Sequence, residues 1–485
     1  MTEHETGLPP AAAASLMHVV TQARWFAGKG RRPELRSFTP LPWLNDPAPG
    51  EGPRVRLAVL EVAYPDEAGA GVEHYQLALA HRAEAVADGM SAAATELYRE
   101  DDGVVYDATQ DVDGARVLLQ ALLASADVGS GSGSVRFHLR DGAALTPDLE
   151  PQVFRGQQSN TSVMYGDVAM LKLFRRLELG RNLDIQVHAA LNDAGMTDVA
   201  RLYGSVEATW NVGGEVLGAD LAMCVEKLAD AVDGWDLALT ALEAETRGTG
   251  PAAGDRADRP GFAEHARALG RALAEVHTAL RTAFGTTGQT GADVAAVMTQ
   301  RLEAAAAVAP ALRPYAAGLR DRFGALDGAV LDAQRVHGDF HLGQTLHTPS
   351  GWKIIDFEGE PAKTLAERVA PDSVWRDVAG MMRSFDYAAA SVPGEAAGAW
   401  RDGCRDAFLD GYTDGAGLAP DDAGLLAAYE ADKAVYEVVY ETRNRPDWVG
   451  IPLGAVATLS AATPDPSGAA PHPHDPHAAH TEELA

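Results

Sequence analysis

The pattern of apolar and polar positions divides the chain into segments. A short helix-like start is followed by two apolar runs, VRLAVLEVAY (55–64) and EHYQLALAHR (73–82), which predict neighbouring strands with polar turns between them. Together they predict a small α+β unit over residues 1–90. Residues 91–150 are less regular: ARVLLQALLAS (115–125) predicts a helix, GSGSGS (129–134) a flexible loop and VRFHLR (135–140) a strand. SVMYG (162–166) and VAMLKLFRR (168–176) then form a hairpin pattern with Gly-Asp at the turn. LDIQVHAALNDAG (183–195) reads as a helix, and VARLYGSVEAT (199–209) and LAMCVEKL (221–228) as two more strands.

Beyond residue 230 the period becomes helical. ETRGTGPAAGDRADRPG (245–261) predicts a surface loop and FAEHARALGRALAEVHTAL (262–280) a long amphipathic helix. The strand-like WKIIDFE (352–358) interrupts the helices, and LLAAYEADKAVYEVVYETRNR (425–445) predicts another, ended by Pro446. The expected domains are therefore 1–90, a β-rich unit at 91–228, a helical lobe at 229–465 and a low-complexity tail at 466–485.

The length of 485 residues exceeds what one core accommodates, which agrees with several domains. Charge narrows the function. Forty Lys and Arg against 69 Asp and Glu give a formal charge of −29, which argues against nucleic acid and anionic membranes as partners. Two cysteines, Cys224 and Cys404, leave room for one disulfide but form no zinc-finger spacing. The polar start MTEHETGLPP does not read as a signal peptide, and no uncharged apolar run is long enough to span a membrane, so a cytoplasmic protein is expected.

Residues 334–344, QRVHGDFHLGQ, concentrate polar chemistry: His337, Gly338, Asp339, His341 and Gln344. By spacing alone this is a metal site, a surface strand or a catalytic loop. Asp356 adds direction, because it follows the apolar KIID seventeen residues after Asp339. An aspartate to accept a hydroxyl proton, an amide five residues later and an aspartate after a strand match the order of a phosphoryl-transfer site. There the amide and the second aspartate hold magnesium on ATP, so Asp339 is the catalytic candidate and Gln344 and Asp356 the metal ligands. His337 and His341 find no further zinc ligands, and His337 is expected to brace the loop.

The upstream segments fit this reading. The order strand, strand, helix, strand, strand is that of a kinase nucleotide lobe. Ser159, Asn160, Thr161 and Ser162, with nearby backbone N–H groups, are placed to cover phosphates. Lys172, among apolar neighbours in MLKLF, needs an anionic partner, for which the α/β-phosphates are suited. MCVEKL (223–228) is the expected hinge, with backbone groups around Glu226 and Lys227 reading adenine.

With these residues placed, the chain resembles the actinobacterial maltokinases, relatives of the aminoglycoside phosphotransferases, through RWFAGKGR, QSNTSVMYGD, LKLFRR, HGDFHLGQ, IDFEGEP, RDVAGMMRSFDYAA and YEADKAVYEVVYETRNRPDW. The resemblance implies a bilobal, protein-kinase-like α+β fold with an N-terminal cap, using ATP and Mg2+ on a small sugar. It also implies that Asp377 braces the catalytic loop. Where such kinases carry NPDxE this chain reads RNLDIQ, with Gln186 in place of the acid that pairs with the lysine; Asp184 is the candidate substitute. RNRPDWVG (443–450) differs from the usual RHRPxWLP at Asn444, Val449 and Gly450, Phe340 replaces a common leucine, and Trp375 is expected beside the acceptor.

These departures leave the phosphoryl-transfer residues intact, fall partly where the acceptor should bind and suggest a changed sugar. Some relatives are glucosamine kinases, which phosphorylate the 6-hydroxyl of a cationic aminosugar. Tyr436, Glu437, Tyr440, Glu441, Asn444 and Arg445 are the candidate acceptor residues, on one side of a helix, with Asp339 at the reacting hydroxyl. Glucosamine is the expected acceptor, with maltose the alternative and a non-catalytic nucleotide-binding regulator the third reading. Oligomeric state is not legible.

Overall fold

The apolar N-terminal runs do form adjacent strands, but their sheet extends beyond residue 90. In the computed structural model, which describes residues 7–48, 50–66, 71–83, 95–101, 103–153, 160–248, 261–360, 363–392 and 394–461, helix α1 (Pro10–Gln22) precedes the strands. Ser159, the tail at 466–485 and most of the expected 245–261 loop lie outside the described residues. Strands β1 (Glu34–Trp43), β2 (Arg54–Ala63), β3 (Glu73–Ala83), β4 (Glu96–Glu100) and β5 (Gly103–Asp107) pair in the order β1-β2-β3-β5-β4.

The near-continuous apolar run of β2 has a simple cause: both faces of the strand are covered. Ala58, Leu60 and Val62 pack with Leu16 and Val20 of α1. Leu57 and Val59, one residue out of phase, belong to a second cluster with Leu118 and Leu122 of helix α2 (Val112–Leu123) and with Phe137, Val206 and Trp210. The first sheet therefore shares a core with the next one, and residue 90 marks no boundary.

The second sheet uses β6 (Asp127–Ser130), β7 (Gly133–Leu139), β8 (Pro151–Val153), β9 (Thr161–Tyr165), β10 (Ala169–Leu173), β12 (Leu202–Val212) and β13 (Glu215–Glu226). Its antiparallel order is β6-β7-β12-β13-β10-β9-β8, while the short β11 (Arg176–Leu177) joins β3 of the first sheet. The GSGSGS stretch is not a flexible loop. It spans the β6–β7 hairpin, with Gly129 paired to Ser134. Helix α3 (Leu183–Asp193), capped by Asn182, lies between β11 and β12.

A small sheet of β14 (Val232–Asp233), β15 (Thr345–Thr348) and β16 (Gly351–Ile354) follows. Ile354 is tied back towards α3 by its N–H on the Asp198 carbonyl at 2.7 Å. Helix α4 (Gly234–Thr246) takes the start of the predicted 245–261 loop. Helix α5 (Phe262–Phe284) crosses the helix Ala396–Tyr412 at paired glycines. A Cβ on Gly270 would sit 2.2 Å from the Phe408 carbonyl oxygen, and one on Gly411 would sit 2.0 Å from that of Arg267, so the two backbones touch only because both residues lack one.

The chain divides into two compact units, one of Met1–Gly288 with Asp332–Leu418 and the other of Gln289–Leu331 with Ala419–Ala485. The helical lobe expected at 229–465 is thus not one body. Helix Pro420–Asn444 packs with Gly291–Val308 inside the second unit, where Arg301 and the buried Asp432 pair at 2.8 Å. Both cysteines are free and buried, which removes the disulfide left open by the sequence. Among the described residues, no helix is long and apolar enough to cross a membrane.

Candidate active site

The His337–Gly338–Asp339 turn is held by one buried carboxylate. Asp377, fully buried on the helix Trp375–Ser391, accepts from the His337 and Gly338 backbone N–H groups, each at 2.8 Å. Two N–H groups can converge on one side chain because Gly338 takes φ +85°, a region that favours glycine. Burial alone would raise the Asp377 carboxyl. His277, His337 and the backbone donors outweigh that and hold it below the ordinary range. His277 Nε2 lies 2.9 Å from Asp377, and its Nδ1 lies 2.9 Å from the Tyr412 hydroxyl.

His337 braces the turn through both ring nitrogens. Its Nε2 is 2.9 Å from the Ile355 carbonyl, which only accepts, so this nitrogen carries the proton. Nδ1 is then free to accept from the Asp339 N–H at 3.4 Å. The Nε2–Ile355 bond ties the turn to the strand that delivers Asp356. His341 Nδ1 accepts from the Gly343 N–H at 3.1 Å, which caps the short turn Leu342–Gln344 and sets the position of Gln344.

Asp356 sits at φ +67°, an unfavourable conformation for a residue with a Cβ. Its neighbours hold it there. The Ile355 N–H donates to the Gln344 carbonyl at 3.1 Å, and the Phe357 N–H to Asp184 Oδ1 at 3.1 Å. The Gln344 amide reaches Asp356 Oδ2 at 3.3 Å, so the two expected metal ligands do meet.

Lys172 joins this group from β10. That strand alternates: Ala169, Leu171 and Leu173 are buried in the core, while Met170 and Lys172 face the other way. Lys172 Nζ lies 2.8 Å from Glu358, 3.3 Å from Asp356 and 3.3 Å from Asp184. The partner that Gln186 fails to supply is Asp184, two residues earlier and almost fully buried. Gln186 instead donates to the Arg181 carbonyl at 3.3 Å, away from the lysine. Gln186→Glu is therefore expected to change the KM for ATP less than twofold, as read by steady-state kinetics.

Electrostatics in this cluster favour a cation beyond the lysine. Carboxylate oxygens of Asp184, Asp356 and Glu358 lie within 4.8 Å of one another. Burial opposes the charge on Lys172, but Glu358, Asp184 and Asp356 hold its ammonium well above the ordinary value. Burial raises the Glu358 carboxyl; Lys172 pulls it down, but Asp356 and Asp184 oppose that, and the balance is upward. Three acids around one lysine leave an excess of hard oxygen donors, the donor chemistry that magnesium takes. The residues fit that ion. Glu358 is a member that sequence reasoning missed; its signal was an acid two residues after Asp356 in IDFEGE.

Other expected site residues are placed differently. Thr161 Oγ1 accepts from Arg175 Nε at 2.7 Å, and Asn160 Oδ1 from the Arg175 N–H at 3.4 Å, so both side chains serve that arginine. Ser162 lies within β9, opposite Lys172 in the register, and is 1% exposed. At the hinge, the Glu226 N–H donates to Arg201 and the Lys227 N–H to Val168, at 2.8 and 2.9 Å. Neither N–H is open to adenine, and the Lys227 ammonium is held by Asp167 at 2.6 Å.

Phe340 and Trp375, expected near the acceptor, are core residues at 1% and 8% exposure; Phe340 packs on the His337 ring. Phe340→Leu is expected to cost less than about 1.5 kcal/mol of stability by denaturant unfolding. It should also leave the relative kcat/KM for competing sugars unchanged within twofold.

In the second unit, the candidate acceptor residues do not share one face. Glu437 and Glu441 are buried, and Glu441 holds Arg445 in a two-point pair at 2.7 and 2.9 Å. Tyr440 is exposed, with Tyr436 stacked beside it at 6.4 Å. Exposed Asn444 donates to the Tyr440 carbonyl at 2.9 Å. Positions 437 and 441 form one stripe of the helix, and 436, 440 and 444 the adjacent one.

Comparison with known proteins agrees with this geometry. The family model "Maltokinase N-terminal cap domain" matches residues 20–111, and "Phosphotransferase enzyme family" matches 222–421. A glucosamine kinase of Streptacidiphilus jiangxiensis is 33% identical over 319 residues, covering 61% of this chain and 70% of that protein. One from Mycolicibacterium smegmatis is 28% identical over 321 residues, covering 62% and 77%. A solved glucosamine kinase in complex with glucosamine, ADP and inorganic phosphate superposes with a TM-score of 0.64 at 25% identity, covering 91% of this chain and 98% of that one. With the capped, kinase-like fold and the cluster of carboxylates around Lys172 both in place, the chain belongs to the glucosamine kinase family, phosphotransferases built behind a maltokinase-type cap.

Proposed function

We propose that the protein is an ATP-dependent sugar kinase that transfers the γ-phosphate of ATP to a hydroxyl of glucosamine, giving glucosamine 6-phosphate. The observation that carries this is the convergence of Lys172, Asp184, Asp356 and Glu358 beside a loop in which Asp339 is rigidly presented. In this reading Asp339 orients the sugar hydroxyl and accepts its proton, and Lys172 binds the nucleotide phosphates, exchanging its carboxylate partners for them. Asp356 and Gln344, with Glu358 beside them, would hold Mg2+, which supplies charge neutralisation on the triphosphate.

Glucosamine is preferred because the relatives covering most of the chain are glucosamine kinases. Its ammonium calls for a carboxylate partner. The maltokinase-type cap favours maltose as the second reading, with phosphate at the anomeric hydroxyl. ADP release measured separately with glucosamine, glucose and maltose, at fixed ATP and Mg2+, tests the choice. Turnover with glucosamine is expected; turnover with maltose alone would replace the reading.

A further inference from the structure

The turn that carries Asp356 and Glu358 is held on one side by Gln344 and Asp184. Its other side is held by a residue outside the cluster. We propose that Arg368 is a positioning residue for phosphoryl transfer: it fixes the Glu358–Gly359 backbone, and with it the carboxylates of Asp356 and Glu358, and ties that backbone to Glu178. The role rests on the reading of this cluster as the nucleotide and Mg2+ site.

Local sequence fixes where Arg368 starts. TLAER (364–368) has the Thr-x-x-Glu pattern of a capping box, and both halves form. Thr364 Oγ1 accepts from the Glu367 N–H at 3.3 Å, and Glu367 Oε2 accepts from the Thr364 N–H at 2.8 Å. The Arg368 N–H donates to the Thr364 carbonyl at 3.0 Å, so its Cα sits on a closed turn. The side chain is 10% exposed, and its Nη1 donates to the Glu358 carbonyl at 2.8 Å. Its stem lies on Gly359, where an added Cβ would meet Arg368 Cβ, Cγ and Cδ at 3.3 Å. Gly359 takes φ +72°, and its Cα lies 3.4 Å from where a Cβ on Gly338 would stand. The arginine therefore also backs the contact between this turn and the catalytic one.

Nη2 of the same guanidinium pairs with Glu178, 190 residues earlier in the chain. Glu178 lies between β11 and α3, on the segment leading from the strand of Lys172 to Asp184. That segment is itself anchored to β13: the Gly180 N–H donates to the Gly218 carbonyl at 2.8 Å, and the Gly180 carbonyl accepts from the Asp220 N–H at 3.1 Å. One planar fork thus joins the turn bearing Asp356 and Glu358 to the chain bearing Lys172 and Asp184, which the single nitrogen of a lysine is not shaped to do. Glu178 is 43% exposed, so its ion pair adds little stability. What the pair sets is position, and a displacement of about 1 Å at a reacting centre costs up to about 10²-fold.

The test is ADP binding to the full chain by isothermal titration calorimetry, in Mg2+ and in EDTA. The wild type should bind ADP more tightly in Mg2+, and the ratio of the two Kd values reports how well the carboxylates are placed for the ion. Arg368→Met keeps the stem on Gly359 and loses both polar arms. It should cut that ratio at least fivefold while the Kd in EDTA stays within twofold of wild type. A merely structural role would lower the unfolding midpoint and leave the ratio alone. Glu178→Ala alters an exposed residue and carries the test if Arg368→Met is not recovered folded; its ratio should fall at least threefold. A wild-type ratio in Arg368→Met, or in Glu178→Ala where that variant stands in for it, overturns the positioning role and leaves the kinase reading standing. A wild type that binds ADP no better in Mg2+ than in EDTA removes the positioning role together with the Mg2+ assignment of the cluster.

Discussion

Asp339→Asn is expected to lower kcat about 10²–10⁴-fold while leaving the Kd for ADP within about threefold of wild type. The asparagine keeps the shape and loses only the ability to take the proton of the attacking hydroxyl. The turn has supports other than the Asp339 carboxylate. His337 is fixed by Asp377 and the Ile355 carbonyl, and it is the Asp339 backbone N–H that meets His337. Folding and nucleotide affinity should therefore survive, and a coupled ADP assay beside calorimetry reads both quantities. A variant retaining more than a tenth of wild-type kcat would remove Asp339 from the chemistry.

Asp184→Ala should combine loss of stability with loss of nucleotide affinity. The Asp184 carboxylate holds three elements at once: Lys172 on β10, His188 on α3 at 2.9 Å, and the Phe357 N–H beside Asp356. Breaking a buried pair leaves charge uncompensated, typically at about 3–5 kcal/mol. Lys172 retains Asp356 and Glu358, which places the expected loss near the lower end, about 3 kcal/mol by urea unfolding. The KM for ATP should rise at least tenfold, because Lys172 and the Asp356 turn both lose their anchor. Adding Gln186→Glu to this variant should restore neither quantity, since position 186 faces Arg181. Rescue by that second change would show that position 186 does reach the lysine.

The same carboxylate gives a pH signature. Burial opposes its ionisation, but Lys172, His188 and the Phe357 N–H hold its pKa well below the ordinary value of 3.8. A depressed carboxylate stabilises the fold above its unfolded pKa, and the contribution disappears as pH falls through the folded one. Asp377 behaves likewise. Wild-type stability should thus decline steeply below about pH 4, and Asp184→Asn should flatten that decline, as followed by unfolding midpoints across pH.

The chemistry around Asp339 was legible because it is local. A turn with glycine at 338, an amide five residues on and an aspartate after a strand are spacings within one short stretch of chain, and the backbone can realise them in few ways. The acid paired with Lys172 was only half legible. Asp184 and Gln186 both lie on the first turn of α3, and which one points inward depends on how the helix is rotated against the sheet. That rotation is set by burial of Leu183, Ile185 and Val187, not by a motif. The phosphate-covering role read for Asn160 and Thr161 failed for a related reason. Their side chains are claimed by Arg175, whose partner Asp107 is 68 residues away in sequence.

By itself the sequence determined the order of the elements and the candidates Asp339, Gln344, Asp356 and Lys172, since periodicity and short spacings are properties of neighbouring residues, and its resemblance to a known family implied the capped kinase-like class. Tertiary structure alone decided the rest. It merged the two N-terminal sheets through a common core, placed Glu358 against Lys172, took Phe340 and Trp375 into the interior, and divided the carboxylates and tyrosines of the helix Pro420–Asn444 between buried and exposed stripes. Each of these depends on which distant surfaces exclude water together, a relation that a linear pattern does not encode.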